Sequence, residues 1–516
     1  MCLSDMIKRI LHKIKRILSP FYFNLKCLQS ERTRGLKMSP LYADGMILQC
    51  NKPLRIQGQA YPGEWITVRI AGQEQQTCCQ SDGRWEVLLD AIRPGGPYQM
   101  EISTPGKRKV YKDVYAGEVW LCSGQSNMVV TMSKYLSKHT DRPHRAPYRY
   151  FGIFPLHHPY PVKWSSIIHY SVNRYRYISY GGWRECRVPY LGSLSAIAYY
   201  YGEELSSRLG IPVGLIVNPV GGTAEYCWIE RRLLQQEYPD ILRNWYDSNQ
   251  VTEWMKGRAI ENIGKKLSEQ EQLHPYHPGY CYEVCIRPIK DYPIRGAIWF
   301  AGESSAQLNN PVLFEGLQEL LIRNWRATWG ECFPFYYVQL HGMDYEKAFG
   351  KGMKYYYPEI REAQRKLLNK IPRIGMTVSY DLSIADNPHF KERRPLGNRL
   401  ARLALHYTYE QKKVVPCGPL YREAVLHDHL IRIKFDFAQG LSTSDGGPVR
   451  TVEVAGTDGK FYPAEVKIIK EHLLVSCREV LSPSRVHYAF DAYPYQANLV
   501  NGEGLPAAAF EIEIAR

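Results

Sequence analysis

Position 126 carries a hydroxyl at the end of a run that reads as a buried strand. From Gly117 to Met128 the chain passes through apolar Val119, Trp120, Leu121 and Cys122 into small, turn-permissive residues, then reaches Ser126. In open α/β sheets ligands bind outside the carboxyl ends of the strands, so a nucleophile is useful there. A serine hydroxyl needs a base to take its proton and donors for the developing oxyanion. Two downstream segments hold the required groups. Asn218-Pro219-Val220-Gly221-Gly222-Thr223 follows a second strand-like run, and its glycines let backbone N–H groups approach a ligand closely. Asp386-Asn387-Pro388-His389 sets a carboxylate three residues before an imidazole, a spacing that allows Asp386 to fix the tautomer of His389 and stabilise its imidazolium. Each fragment alone is commonplace. In the order Ser, Gly-Gly, Asp-x-x-His they point to acyl hydrolysis without a metal.

A second hydroxyl competes. Gly302-Glu303-Ser304-Ser305-Ala306 follows an apolar run and nearly matches the G-x-S-x-G turn of α/β-hydrolases. Its fifth position is alanine, and no HGGG-type oxyanion loop precedes it, so Ser126 is the nucleophile read here. Paired histidines at 157–158, 274 and 277, and 427 and 429 lack companion ligands at metal spacing. No P-loop or G-x-G-x-x-G stands between a strand and a helix, so no nucleotide cofactor is expected.

The elements that must position these groups follow from periodicity. Strand-like runs at Val119–Cys122, Val213–Val217, Ala297–Phe300 and Tyr336–Leu340 alternate with helical patterns at 196–209, 314–325 and 358–368, which predicts βαβ units around a mainly parallel sheet. Upstream, Trp65–Ile70 and a turn at Asp82-Gly83 before Trp85 predict a β-sandwich over residues 39–110, with a hairpin at that turn. Downstream, Ile431, Ile433 and Phe435 alternate with polar residues, so β structure is expected again over 415–516. The catalytic region then spans 111–414, with insertions expected at about 134–187 and 230–290.

The balance of the chain excludes other classes. Its 516 residues, 45% hydrophobic and 23% charged, suit a multi-domain globular protein. No run approaches the ~18 apolar residues of a membrane-spanning helix. Nearly half of the net charge of +15 lies in residues 1–38, which hold nine Lys/Arg and two acids. The remainder is too dilute to mark a phosphate-binding face, so no nucleic-acid partner is expected. Ile7, Ile10, Leu11, Ile14, Ile17 and Leu18 recur at helical spacing among lysines and arginines, so residues 7–18 would form a basic amphipathic helix able to lie weakly on an anionic membrane surface. The same residues read equally as a flexible tail or an upstream extension. The lysines interrupt the ~7–15-residue apolar stretch of a secretory signal. Thirteen cysteines form no disulfide framework, and most are expected as reduced, buried thiols.

Taken together, these blocks resemble the sialate O-acetylesterases of the SGNH hydrolase superfamily. Gly117–Met128 is similar to that family's block around its nucleophile, Gly221-Gly222-Thr223 with Trp228 to its second block, and Ile294–Ser304 to its third. Arg361-Glu362-Ala363-Gln364 resembles part of one of its helices, and His389 stands eight residues before Gly397-Asn398-Arg399-Leu400-Ala401, where the family places its catalytic histidine. Ala43–Gln49 and Asn501–Ala507 resemble its opening and closing segments, so the likeness covers roughly residues 39–516.

The resemblance implies an SGNH-type three-layer α/β/α catalytic domain with β-sandwich-like modules on either side. It also implies a cofactor-free serine esterase acting on an O-acetylated carbohydrate such as sialic acid. Ser126, His389 and Asp386 would be catalytic, the N–H groups of Ser126 and Gly222 would bind the oxyanion, and Gln125, Asn127, Trp228 and Glu303 would contact substrate. The family is commonly exported, in tension with the N-terminal segment. This chain departs from the pattern at several places. Ala301 replaces a glutamine whose side chain can help bind the oxyanion, and such a donor is typically worth ~10²–10³ in rate. Phe390 replaces a proline after the histidine. Glu225 sits one place early relative to Trp228. Asn387 stands where an aspartate is frequent, leaving Asp386, or secondarily Asp381, as the orienting acid. The departures motivate a rival expectation, a weakened or inactive relative that binds glycans.

Overall fold

The computed structural model describes residues 35–139, 144–352 and 354–514; the basic helix expected at 7–18 lies outside them. The fold is mixed α/β, built on one large mixed sheet with additional antiparallel sheets. Seven strands make its main path: β1 (Lys107–Gly124), β2 (Tyr148–Pro155), β3 (Ile178–Glu185), β4 (Val213–Val217), β5 (Gly296–Phe300), β6 (Phe335–Gln339) and β7 (Ile374–Val378). Their spatial order is β7-β6-β5-β1-β4-β2-β3, parallel throughout except for β3, which runs against β2.

Strand β1 explains much of the architecture. It is 18 residues long, and its two halves belong to different neighbourhoods. The first half pairs with Gly95–Thr104 and Ile47–Gln49, and the second lies between β4 and β5. Residue 110, the expected boundary, therefore falls inside one continuous strand. A buried ion pair stiffens this junction: Glu118, 2% exposed, accepts from Arg295 at 2.6 and 2.9 Å and from the Tyr409 hydroxyl at 2.9 Å. These are the glutamate and arginine of the first and third motif blocks.

Strand residues alternate between two apolar clusters, as the period of two requires. Val119, Leu121, Ala297, Trp299, Phe335 and Tyr337 face one cluster, which includes Leu317, Leu321 and Trp325 of a helix at Pro311–Trp329. Trp120, Cys122, Ile298, Phe300, Tyr336 and Val338 face the other, with Ile197 and Leu205 of Ala196–Leu209 and Leu400 of Arg394–Leu403. We label these helices α1 (Ala196–Leu209), α2 (Glu253–Ile263), α3 (Pro311–Trp329), α4 (Tyr357–Leu367) and α5 (Arg394–Leu403). Helices α1, α3 and α4 fall where the apolar spacing predicts them.

Two expectations are corrected. The Asp82-Gly83 turn forms, with Gly83 at φ +81°, but the strands on either side join different sheets: Arg84–Leu89 pairs with Leu54–Gln59, and Gln73–Cys78 with Trp65–Ile70. The stretch 134–187 is not a peripheral insertion, because it contributes β2 and β3 to the main sheet. Its composition misleads because polar tips are satisfied inside: the Tyr148 hydroxyl donates to Tyr199 O at 2.6 Å, and buried Arg149 donates to Gly45 O and Asp113.

Beyond residue 419 the chain forms two four-stranded antiparallel sheets and a two-stranded one. They are tied to the main sheet by Gln339, whose side chain exchanges two 3.0 Å hydrogen bonds with the backbone of Ala509, and by Tyr380, whose hydroxyl donates to Ala507 O at 2.6 Å. The eleven described cysteines are all free thiols. No helix among the described residues is long and apolar enough to cross a membrane.

Candidate active site

Strand order reverses around β1, with β4 leading away on one side and β5 on the other, so the crevice at their carboxyl ends is a topological switch point. Ser126 opens a short helical turn, Ser126–Val129, directly after β1. Gly124 makes the bend possible: its φ is +140°, and a Cβ there would lie 2.2 Å from Phe300 O. The loop after β4 comes alongside, because Val220 N–H donates to Gly124 O at 3.0 Å and a Cβ on Gly221 would stand 3.8 Å from Ser126 Cβ. Among the described residues, neither the Ser126 nor the Gly222 N–H donates to another backbone group. Both are free to meet an oxyanion.

The loop after β7 brings the imidazole to the same edge. Asn127 Nδ2, one residue past Ser126, donates to Pro388 O at 3.1 Å, one residue before His389. The same nitrogen donates to Glu303 Oε1 at 2.7 Å, and Asn127 Oδ1 accepts from Arg393 Nη1 at 2.8 Å. Asn127 therefore ties three loops together from a fully buried position. The Arg393 guanidinium lies 4.0 Å from the ring of Phe390, so the residue in the proline's place serves as the platform for this cation. His389 itself is half-buried, and its Nε2 is enclosed without a hydrogen bond. Burial pushes its value down to about 4, with the charges of Arg393 and Lys134 adding to the effect.

Asp386 is not joined to this imidazole. Its side chain is exposed on the turn between the bridged residues Ile384 and Asn387, and Asn387 Oδ1 instead accepts from the His389 backbone N–H at 2.8 Å. The spacing is right for a triad, but the tight turn aims the carboxylate outward. Asp381, the secondary choice, is engaged elsewhere, in a two-pronged ion pair with Arg399 at 2.7 and 2.6 Å.

The other named residues divide in the same way. Gln125, 2% exposed, accepts from Gly302 N–H at 3.2 Å and so links the loops after β1 and β5. Trp228 is fully buried against Trp299 and Trp325, its indole donating to Thr223 Oγ1 at 2.9 Å, and it offers no face to a ligand. Ser304 donates to Gly222 O at 3.1 Å, which holds the glycine loop. Ala301 is 1% exposed and carries no donor. Glu303 and Glu225 are buried carboxylates, both raised by desolvation; Glu225, which accepts from the Ser305 hydroxyl, reaches about 7. Sequence reasoning missed His341, sealed between Phe300, Tyr357 and Phe390 at the end of β6 and pushed down to about 3 by burial. It also missed Arg393. Neither stands in a motif, so only the fold reveals them. Among the described residues no three His, Cys, Asp or Glu side chains gather as a metal site would require.

No protein-family model matches the chain. Curated relatives do. The chain is 25% identical to a sialate O-acetylesterase of Mus musculus over 515 aligned positions, covering 89% of this chain and 91% of that one. It is 24% identical to a sialate O-acetylesterase of Homo sapiens, covering 78% and 77%. Among solved structures, a carbohydrate acetylesterase from Xanthomonas citri superposes with a TM-score of 0.73 at 26% identity, covering 92% of this chain and 99% of that one. The likeness to sialate O-acetylesterases carried by the motif blocks is thus a property of most of the chain.

Proposed function

We propose that the protein is a carbohydrate O-acetylesterase working through an acyl-enzyme, with Ser126 as nucleophile and His389 as base. The observation that carries this reading is the meeting of three loops at one sheet edge. The residue after Ser126 is bonded to the residue before His389, while the glycine loop stands on the third side, where a Cβ on Gly221 would lie 3.8 Å from Ser126 Cβ. Ser126 Oγ would attack the acetyl carbonyl as its proton passes to His389. The oxyanion would be met by the N–H groups of Ser126 and Gly222. Collapse breaks the ester C–O bond, and His389 returns the proton to the departing sugar hydroxyl. Water then repeats the sequence and releases acetate.

The SGNH-type three-layer arrangement goes with this reading, since the sheet carries apolar clusters and helices on both faces. So does the division into 39–110, 111–414 and 415–516. An O-acetylated sialic acid is the first substrate to try, because relatives bear that name; the Xanthomonas structure makes O-acetylated carbohydrates more broadly the class. The test is acetate release from O-acetylated sialic acids and neutral sugars. Ser126→Ala is expected to lower kcat by ~10⁴ or more, and Ser304→Ala by no more than about tenfold. Full activity in Ser126→Ala would end the proposal. A second reading, a scaffold that holds acetylated glycans without cleaving them, is favoured by the donorless Ala301 and the unbonded Asp386; tight binding with no acetate released by the unaltered protein would establish it.

A further inference from the structure

Beside the glycine loop stand two aromatic side chains that the catalytic steps do not use. Gly222 has φ +76°, and a Cβ placed on it would lie 2.2 Å from the Tyr276 hydroxyl and 2.7 Å from Trp254 Cη2. Both rings therefore press against the residue whose N–H would bind the oxyanion. Trp254, near the start of α2, is 38% exposed although indoles are normally well covered. Its ring lies 5.7 Å from that of Tyr276 and tilted 30° to it, and the Arg258 guanidinium sits 5.4 Å from its centre.

Tyr276 is the opposite case. Its ring is 1% exposed and wedged against His274 at 4.7 Å, which is itself stacked on Trp164. Yet its hydroxyl makes no hydrogen bond among the described residues, and it is not among the polar atoms sealed from solvent. A buried, rigid phenol whose hydroxyl is left unpartnered at the edge of a reaction site is a pre-set donor or acceptor for something that arrives.

We propose that Trp254 and Tyr276 form the subsite for the sugar that carries the acetyl group. The indole receives the apolar face of a pyranose ring, and the Tyr276 hydroxyl hydrogen-bonds to an oxygen of that sugar. Aromatic rings with one polar tip suit such a ligand, which is apolar on its C–H face and polar at its rim. Both residues come from the 230–290 stretch, outside the strands of the main sheet. The proposal rests on the esterase reading for its reacting atoms but is tested separately from it.

The experiment compares an O-acetylated sialic acid and an O-acetylated neutral pyranose with p-nitrophenyl acetate, which has no sugar ring. Trp254→Ala is expected to raise KM for both sugars about tenfold, a loss several times larger than any on p-nitrophenyl acetate. Trp254→Phe should recover most of the loss. Tyr276→Phe, which removes no internal hydrogen bond, should raise the sugar KM by about fivefold to tenfold. Calorimetric titration of Ser126→Ala with the same sugars gives the matching loss in affinity when Trp254→Ala is added, whether or not turnover is measurable. Unchanged sugar KM and affinity in both variants, or equal losses on p-nitrophenyl acetate, would overturn the subsite. Full activity in Ser126→Ala with the KM changes intact would leave the subsite standing and remove the nucleophile assignment.

Discussion

The side-chain amide of Asn127 donates to the carbonyl of Pro388 at 3.1 Å, joining the residue after the proposed nucleophile to the residue before the proposed base. The same side chain is held by Glu303 and Arg393, a carboxyl and a guanidinium, both buried. We take it as a positioning residue: fully buried, it bonds the loop that carries Ser126 to the loop that carries His389. Asn127→Ala is expected to cost about 1–3 kcal/mol of stability and to lower kcat by roughly 10²-fold, with KM little changed. Denaturant unfolding and steady-state kinetics would check both. A stability loss with undiminished kcat would show that the brace has no part in alignment.

The imidazole titrates low. Because His389 must be neutral to accept a proton, and its value is pushed to about 4, kcat/KM on a neutral acetate ester should be flat from about pH 5 upward and fall below about pH 4. Lys134 is one of two cations depressing it, and the lysine is exposed. Lys134→Met should therefore move the acid limb to higher pH while leaving the plateau in place. A pH–rate profile with its limb near pH 6.5 in the unaltered protein would contradict this environment.

Asp386 stands in the position a triad acid would take but makes no bond to His389. Asp386→Asn is accordingly expected to lower kcat by less than about tenfold, far below the ~10⁴ typical where the acid holds the imidazole. A loss of 10³ or more would mean that the turn rotates in the substrate complex and brings the carboxylate onto the ring.

Glu225 links the site to stability. Fully buried, it is raised from an ordinary 4.5 to about 7, chiefly by desolvation. The folded protein holds this proton more tightly than the unfolded chain, so the contribution of Glu225 to stability is full below about pH 4.5 and is lost as pH rises to about 7. The full difference is about 3 kcal/mol at 1.36 kcal/mol per unit. Glu225→Gln removes the titration and can still accept from the Ser305 hydroxyl. Its melting temperature should match the parent near pH 4 and exceed it at pH 8. Parallel curves across that range would show that Glu225 does not titrate in the fold.

Local chemistry made a good part of the protein legible in advance. Apolar runs such as Val213–Val217 and the periodic Ala196–Leu209 carry their own signal, because each buries one face or both whatever lies nearby. The same holds for Ser126 after its strand and for Gly222 in its loop. Tyr148, Arg149 and Tyr150 misled because a polar tip looks solvent-facing until a distant carbonyl accepts from it. Tertiary structure alone decided which groups meet. Asn127 as a clasp, Arg393 on the Phe390 ring, Trp228 in the core, Asp386 turned outward and Tyr276 against Gly222 all depend on contacts between residues far apart along the chain. Spacing along a sequence sets what a turn could reach, whereas the direction of a side chain is settled by what packs against it from elsewhere.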